Sequence, residues 1–100
     1  MSLDRITDSV KARSQDLAGL NARVMFDLGE TGILVVDATA TPPSVSNEPL
    51  DADCTIQLSA ADMEKLIAGT LNPMLAYTLG KLKISGSMGI AMKLAALLDE

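Results

Sequence analysis

Apolar positions change their period along this chain, and each change marks an element. Leu3, Ile6, Val10, Leu17 and Leu20 fall on one helical face, while Asp4, Arg5, Asp8, Lys11 and Asp16 supply polar positions. That spacing predicts a first helix of about sixteen residues, capped by Ser2 and ended near Gly19. Between Arg23 and Leu28 the period drops to two: Val24, Phe26 and Leu28 alternate with Arg23, Met25 and Asp27, as in a half-buried strand. Gly29-Glu-Thr-Gly32 then reads as a hairpin turn. A return strand follows from Ile33 to about Thr39, with Leu34, Val36 and Ala38 inward and Asp37 outward.

Thr41 to Pro49 holds three prolines and reads as a loop. Cys54, Ile56 and Leu58 alternate with Asp53, Thr55 and Gln57 in a third strand. Ser59 and Asp62 have the spacing of an N-cap and an acidic third helical position. The helix they open carries Met63, Leu66 and Ile67 on one face and stops at Gly69. Asn72-Pro73 is a second start, an N-cap followed by proline at the first helical position. That helix runs through Met74, Leu75, Tyr77 and Leu79 to Gly80. Lys81 to Ser85 is a short strand with Leu82 and Ile84 inward, and Gly86-Ser87 introduces a terminal helix from Met88 to Leu98. The order α, β, β, β, α, α, β, α predicts an α+β domain: an antiparallel meander, then helices covering one sheet face. A further short strand can escape such a reading, since weak strands carry little signal.

The terminal helix does not fit a small protein comfortably. Only Lys93 is charged between Met88 and Leu98. A helix apolar nearly all round needs cover on most sides, and 100 residues leave little interior to provide it. One row, Met88, Met92 and Ala95, and another, Ile90, Leu94 and Leu97, can face different ways, one on the sheet and one toward a cavity. Six methionines partly replace the missing aromatics, of which there is one Phe and one Tyr. Methionine fills irregular core gaps, and where several converge it also suits an apolar site that accepts varied shapes.

Composition narrows the function. The net charge of −5 lacks the basic footprint of a nucleic-acid binder. The charge is uneven: residues 1–64 hold four basic and eleven acidic side chains, whereas residues 65–98 hold four lysines and no acid. Such a half suits an anionic amphiphile or an anionic membrane surface, or it is simply four solvated lysines. The N-terminus lacks the basic and apolar regions of a signal peptide. Ile84 to Leu98 is too short and too broken by Ser, Gly and Lys to span a bilayer. The expectation is one cytoplasmic domain over residues 1–100.

Little chemistry is on offer. There is no histidine, which removes the commonest general base and the commonest transition-metal ligand together. Cys54 sits at an inward strand position, as an inert core thiol would. Asp51 with Asp53, and Asp99 with Glu100, are the nearest carboxylate pairs, and neither lies in a catalytic or metal-loop motif. Gly86-Ser-Met-Gly89 could hold an anion on backbone N–H groups or allow a helix to pack closely on a strand. The expectation is a protein that is not an enzyme and uses no metal or cofactor.

Several stretches carry a resemblance. Asp53-Cys-Thr-Ile56, then Gly69, Asn72-Pro73, Gly80-Lys-Leu-Lys-Ile-Ser-Gly86 and Met88-Gly-Ile-Ala-Met-Lys-Leu94 are similar to the sterol carrier protein type 2 family over essentially the whole chain. The resemblance implies a five-stranded, mostly antiparallel sheet covered on one face by helices, with an apolar tunnel between them. It implies non-covalent binding and transfer or presentation of fatty acids, acyl-CoA, phospholipids or sterol-like molecules. Carried over by position, Phe26, Leu66, Ile67, Leu71 and Met74 would face the tunnel, and Met88, Met92, Ala95 and Leu98 would close it. The ending Leu98-Asp-Glu100 differs from the Ser-Lys-Leu-type address of peroxisomal relatives, which suggests a small stand-alone bacterial member. The expected partners are a lipid ligand and a transient anionic membrane surface, with the protein a monomer or weak homodimer. The alternative is an accessory interaction module, docking by the same helix beside enzymes that act on apolar substrates such as quinone precursors.

Overall fold

A computed structural model describes residues 3–40, 43–49 and 51–98, with the backbone alone at Ser14, Asp16, Leu97 and Leu98. The expected Ser2 cap, the middle of the Thr41–Pro49 stretch and the Asp99–Glu100 pair lie outside the described residues. In chain order the elements are α1 (Leu3–Ala12), β1 (Arg23–Asp27), β2 (Ile33–Asp37), β3 (Ser44–Ser46), β4 (Cys54–Gln57), α2 (Ala60–Ala68), α3 (Pro73–Thr78), β5 (Lys83–Gly86) and α4 (Met88–Leu98). Two 3-10 turns, Ser14–Leu20 and Gly29–Thr31, fill the joints. The fold is α+β, as the residue pattern and the resemblance both imply.

The strands form one sheet in the order β3-β2-β1-β4-β5. Three pairings are antiparallel and one, β1 with β4, is parallel. The expected meander is corrected here, because the third strand of that reading does not pair with the second. Instead the chain leaves β2, makes the edge strand β3, and crosses to the other side of β1. That edge strand also corrects the loop assigned to Thr41–Pro49. Ser44-Val45-Ser46 is only one repeat of polar-apolar alternation beside prolines, the form of a short edge strand. Its Val45 opposes Val36 and packs against the core.

The central position of β1 organises the interior. Val24, Phe26, Leu34, Val36, Cys54 and Ile56 share one sheet face and are buried beneath the helices. The other face carries Arg23, Asp27, Asp37, Thr55, Gln57, Lys83 and Ser85. Arg23 directly opposes Asp37, Nε to Oδ2 at 3.2 Å. The Thr39 hydroxyl and the Arg23 guanidinium hold the Asp37 carboxyl below the usual range.

The first helix is shorter than the sixteen or so residues its periodicity suggests. It ends at Ala12, and the chain tightens into the 3-10 turn, in which residues three apart eclipse one another. Leu17 and Leu20 therefore both point inward. The turn ends at Asn21 (φ 52°), one of the few residue types that tolerate this left-handed conformation, rather than at Gly19. The later caps follow the sequence reading. Ser59 Oγ accepts from the Asp62 N–H (3.1 Å), and Asn72 Oδ1 accepts from the N–H groups of Met74 (2.9 Å) and Leu75 (3.1 Å).

The junction of β5 and α4 is the tightest point. Gly86 has φ +91°, and a Cβ there would lie 2.6 Å from the Asp53 carbonyl oxygen. Next to it, Ser87 N–H donates to that same carbonyl at 2.9 Å. Gly86→Ala combines backbone strain with a clash against backbone, so it is expected to cost about 2 kcal/mol or more. Urea unfolding of the variant beside wild type measures that loss.

Candidate apolar binding site

Between the sheet and the pair α3–α4 lies a cavity. From the sheet side Phe26, Ile56, Leu82 and Ile84 form its floor, with Leu66 of α2 beside them. Pro73, Met74 and Tyr77 of α3 form one wall, and Met88, Ala91, Met92, Leu94 and Ala95 of α4 form the other. Register explains the floor: Phe26 opposes Ile56 across the parallel pair, and Ile56 opposes Ile84 across the next. Helical spacing explains the α4 wall, since Met88, Ala91, Met92 and Ala95 are i, i+3, i+4 and i+7. Alanine at two of those positions leaves the space open.

The gap among these side chains is about 520 Å³ where it opens to solvent, and about 60 Å³ of it is wide enough for the centres of water-sized spheres. A single buried water needs roughly 10–15 Å³ of such space, so the interior has room for only a few waters or methylenes. It adjoins a more open groove with about 260 Å³ of the same space, lined by Asn72, Pro73, Met74, Met92, Ala95 and Ala96. Cavity and groove share Pro73, Met74, Met92 and Ala95. The only polar side-chain atom on the cavity residues is the Tyr77 hydroxyl. A void with such walls does not hold water well and favours apolar contents.

The nine positions expected to face a tunnel divide. Phe26, Leu66, Met74, Met88, Met92 and Ala95 come together on this one cavity. Ile67 and Leu71 do not; both are half-buried and pack against the main core. The Leu98 side chain lies outside the described residues. The Met88 and Met92 side chains stand at the mouth, with Met92 55% exposed, rather than deep inside. Leu94, expected on the opposite row, reaches the cavity as well. Pro73, Tyr77 and Ala91 were not singled out, though the i+3 spacing of Ala91 from Met88 marks it in the sequence.

One of the polar candidates, Asp53, has structural work instead. Asp53 Oδ2 accepts from the Arg23 N–H (3.0 Å), and the Asp53 N–H donates to the Arg23 carbonyl (2.9 Å). Those bonds fix the start of the parallel pair. Among the described residues, no three His, Cys, Asp or Glu side chains converge as metal ligands. Among those residues, too, no helix is long and apolar enough to cross a membrane.

Residues 3–99 match the SCP-2 sterol transfer family. The chain belongs to that family. Sterol carrier protein 2 of Gallus gallus is 46% identical over 67 residues, which make up 66% of this chain and 12% of that protein. The chain thus spans a small part of the curated relatives it matches. Among solved structures, the sterol carrier protein domain 2 of Helicoverpa armigera aligns with a TM-score of 0.74 at 28% identity, covering 95% of this chain and 80% of that one. The apo form of sterol carrier protein 2 from Yarrowia lipolytica gives a TM-score of 0.71 at 26% identity, covering 95% and 84%. Family membership agrees with the resemblance carried by the Asn72-Pro73, Gly80–Gly86 and Met88–Leu94 stretches, and with the five-stranded sheet it implied.

Cys54 stands apart from the cavity, fully buried on the inner face of β4. Burial, and then the neighbouring Asp53 charge, push its thiol above the usual range. A thiol reagent such as Ellman's reagent at mildly alkaline pH is expected to leave the native protein unmodified and to titrate one thiol per chain in guanidinium.

Proposed function

We propose that this domain binds lipids non-covalently and transfers or presents them, with the cavity and its groove together holding the apolar part of the ligand. One observation supports this reading above the others: an open void between the sheet and two helices whose lining side chains offer one hydroxyl and otherwise only carbon and sulfur. Such a wall reads chain length and shape, and it leaves the head group at the mouth. Burying a methylene is worth about 0.8 kcal/mol, so a chain of about ten buried carbons reaches the roughly 8 kcal/mol of micromolar binding without a polar contact. Fatty acids, acyl-CoA, phospholipids and sterol-like molecules all satisfy that requirement.

The present interior is too narrow for a long chain, so uptake requires the walls to part. The movable parts are the methionines of the mouth, whose unbranched side chains have three rotatable bonds each, and the short α3. Cavity and groove joined in this way make the tunnel that the resemblance implies. The domain itself performs no chemistry in this scheme, and the lysine-bearing second half suits an anionic membrane as the source or destination of cargo.

Native mass spectrometry of gently purified protein tests the reading. An excess of a few hundred daltons that vanishes on denaturation supports it; a chain that stays bare after incubation with fatty acid, acyl-CoA and phospholipid overturns it. Ala95→Phe, which sets a ring between cavity and groove at a half-buried position, is expected to weaken fluorescent fatty-acid binding at least tenfold. Its thermal unfolding is expected to stay close to wild type. Unchanged affinity in the folded variant would place the ligand elsewhere.

A further inference from the structure

Sulfur gathers at the cavity mouth. Five methionines lie among the described residues. Three of them, Met74, Met88 and Met92, are 48%, 42% and 55% exposed, and all three border the cavity. The other two are placed differently. Met63 is buried in the core, and Met25 is half-buried on the opposite face of the sheet, between Val35 and Thr55. Met88 and Met92 are four residues apart on one face of α4, and Met74 stands on the α3 wall. Met74 and Met92 also line the groove, so they stand where cavity and groove meet.

Exposure decides which sulfur an oxidant reaches. Cys54, the one thiol of the chain, is fully buried, and thiols react as thiolates. The accessible sulfur among the described residues is therefore thioether. Its oxidation needs no deprotonation. The sulfur lone pair attacks one oxygen of hydrogen peroxide, the O–O bond breaks and an S–O bond forms. The proton on the attacked oxygen passes to the departing hydroxide, which leaves as water, and sulfur loses the two electrons that the peroxide gains.

What surrounds the new sulfoxides gives the change its effect. The only polar side-chain atom on the cavity residues is the Tyr77 hydroxyl, one donor for three sulfoxide oxygens. When an apolar chain enters and the side chains at the mouth fold over it, a sulfoxide has two choices. It loses its water without gaining a partner, or it stays turned outward and leaves the chain uncovered. Both weaken apolar binding.

We propose that Met74, Met88 and Met92 form an oxidative modification site for hydrogen peroxide, whose sulfoxides shut the cavity to apolar ligands and whose reduction reopens it. The modification stands on the exposure of the three thioethers; the loss of binding rests on the lipid-binding reading above.

The test treats the native protein with graded hydrogen peroxide, removes the oxidant with catalase and maps sulfoxides by peptide mass spectrometry. The three mouth methionines are expected to be converted at least about tenfold faster than Met63. Thermal unfolding is expected to show the treated protein still folded, while its affinity for a fluorescent stearate falls about tenfold. Methionine sulfoxide reductases A and B together, one for each sulfoxide epimer, are expected to restore that affinity. In the triple variant Met74→Leu, Met88→Leu, Met92→Leu, peroxide is expected to leave the affinity where it stood in the same variant untreated. Oxidation of Met63 as fast as the other three overturns the modification site. Undiminished stearate binding by a folded protein carrying the three sulfoxides overturns the closing of the cavity, as does unfolding of the treated protein or an equal loss in the leucine variant. Selective oxidation of a protein that binds no stearate before treatment keeps the modification site and overturns both the closing of the cavity and the lipid-binding reading.

Discussion

The backbone of Asp53 ties together the three parts on which the site depends. Its N–H and carboxylate engage the backbone of Arg23, which sets the parallel register of β4 beside the central strand. Its carbonyl receives the N–H of Ser87 and leaves room only for a glycine at position 86. One residue thus fixes where β4 begins and where α4 starts. The sheet floor and the helical wall of the cavity are placed relative to each other by that junction, and Phe26 and Ile56 come to lie opposite the row from Met88 to Ala95. The carboxylate that composition offered as a candidate for chemistry is spent on architecture.

A second constraint is the mismatch between α4 and the core available to it. Ala91 and Leu94 find cover, whereas Met88 and Met92 do not. A helix with only one charged residue cannot turn a polar back to solvent, so its surplus apolar surface borders a void instead of closing it. Small side chains at positions 91 and 95 keep that void from filling. The apolar opening is a consequence of the composition of this helix, and family membership gives it a meaning.

Much of this was legible in the sequence, because local signals decide local structure. The caps at Ser59 and Asn72, the hairpin of β1 and β2 and the bounds of α4 follow from side chains within a few residues of each other. The topology was not legible in the same way. Nothing local says that Cys54–Gln57 pairs with β1 rather than β2, and a three-residue strand among prolines carries almost no period. The shortening of α1 depends on the 3-10 turn that buries Leu17 and Leu20, a tertiary preference over a helical repeat. For the site, helical spacing put Met88, Met92 and Ala95 on one row, while Phe26, Leu66 and Met74 came only from the family resemblance; all six border one cavity. Ile67 and Leu71, assigned by the same resemblance, pack against the main core and do not border that cavity. Tyr77 escaped because an isolated aromatic at helical spacing has no distinctive signal.

A wall without hydrogen bonds to match also sets how freely the sequence can drift. A polar site constrains the identity of each partner, since an unpaired buried donor or acceptor is costly. An apolar wall constrains only volume and patterning, and exchanges that conserve them are tolerated. Over evolutionary time most letters of such a chain are exchangeable, while positions like Gly86, held by backbone geometry, are not. The Helicoverpa armigera domain, 28% identical yet with a TM-score of 0.74, has the divergence expected of a lineage that inherits a shape more than a set of residues.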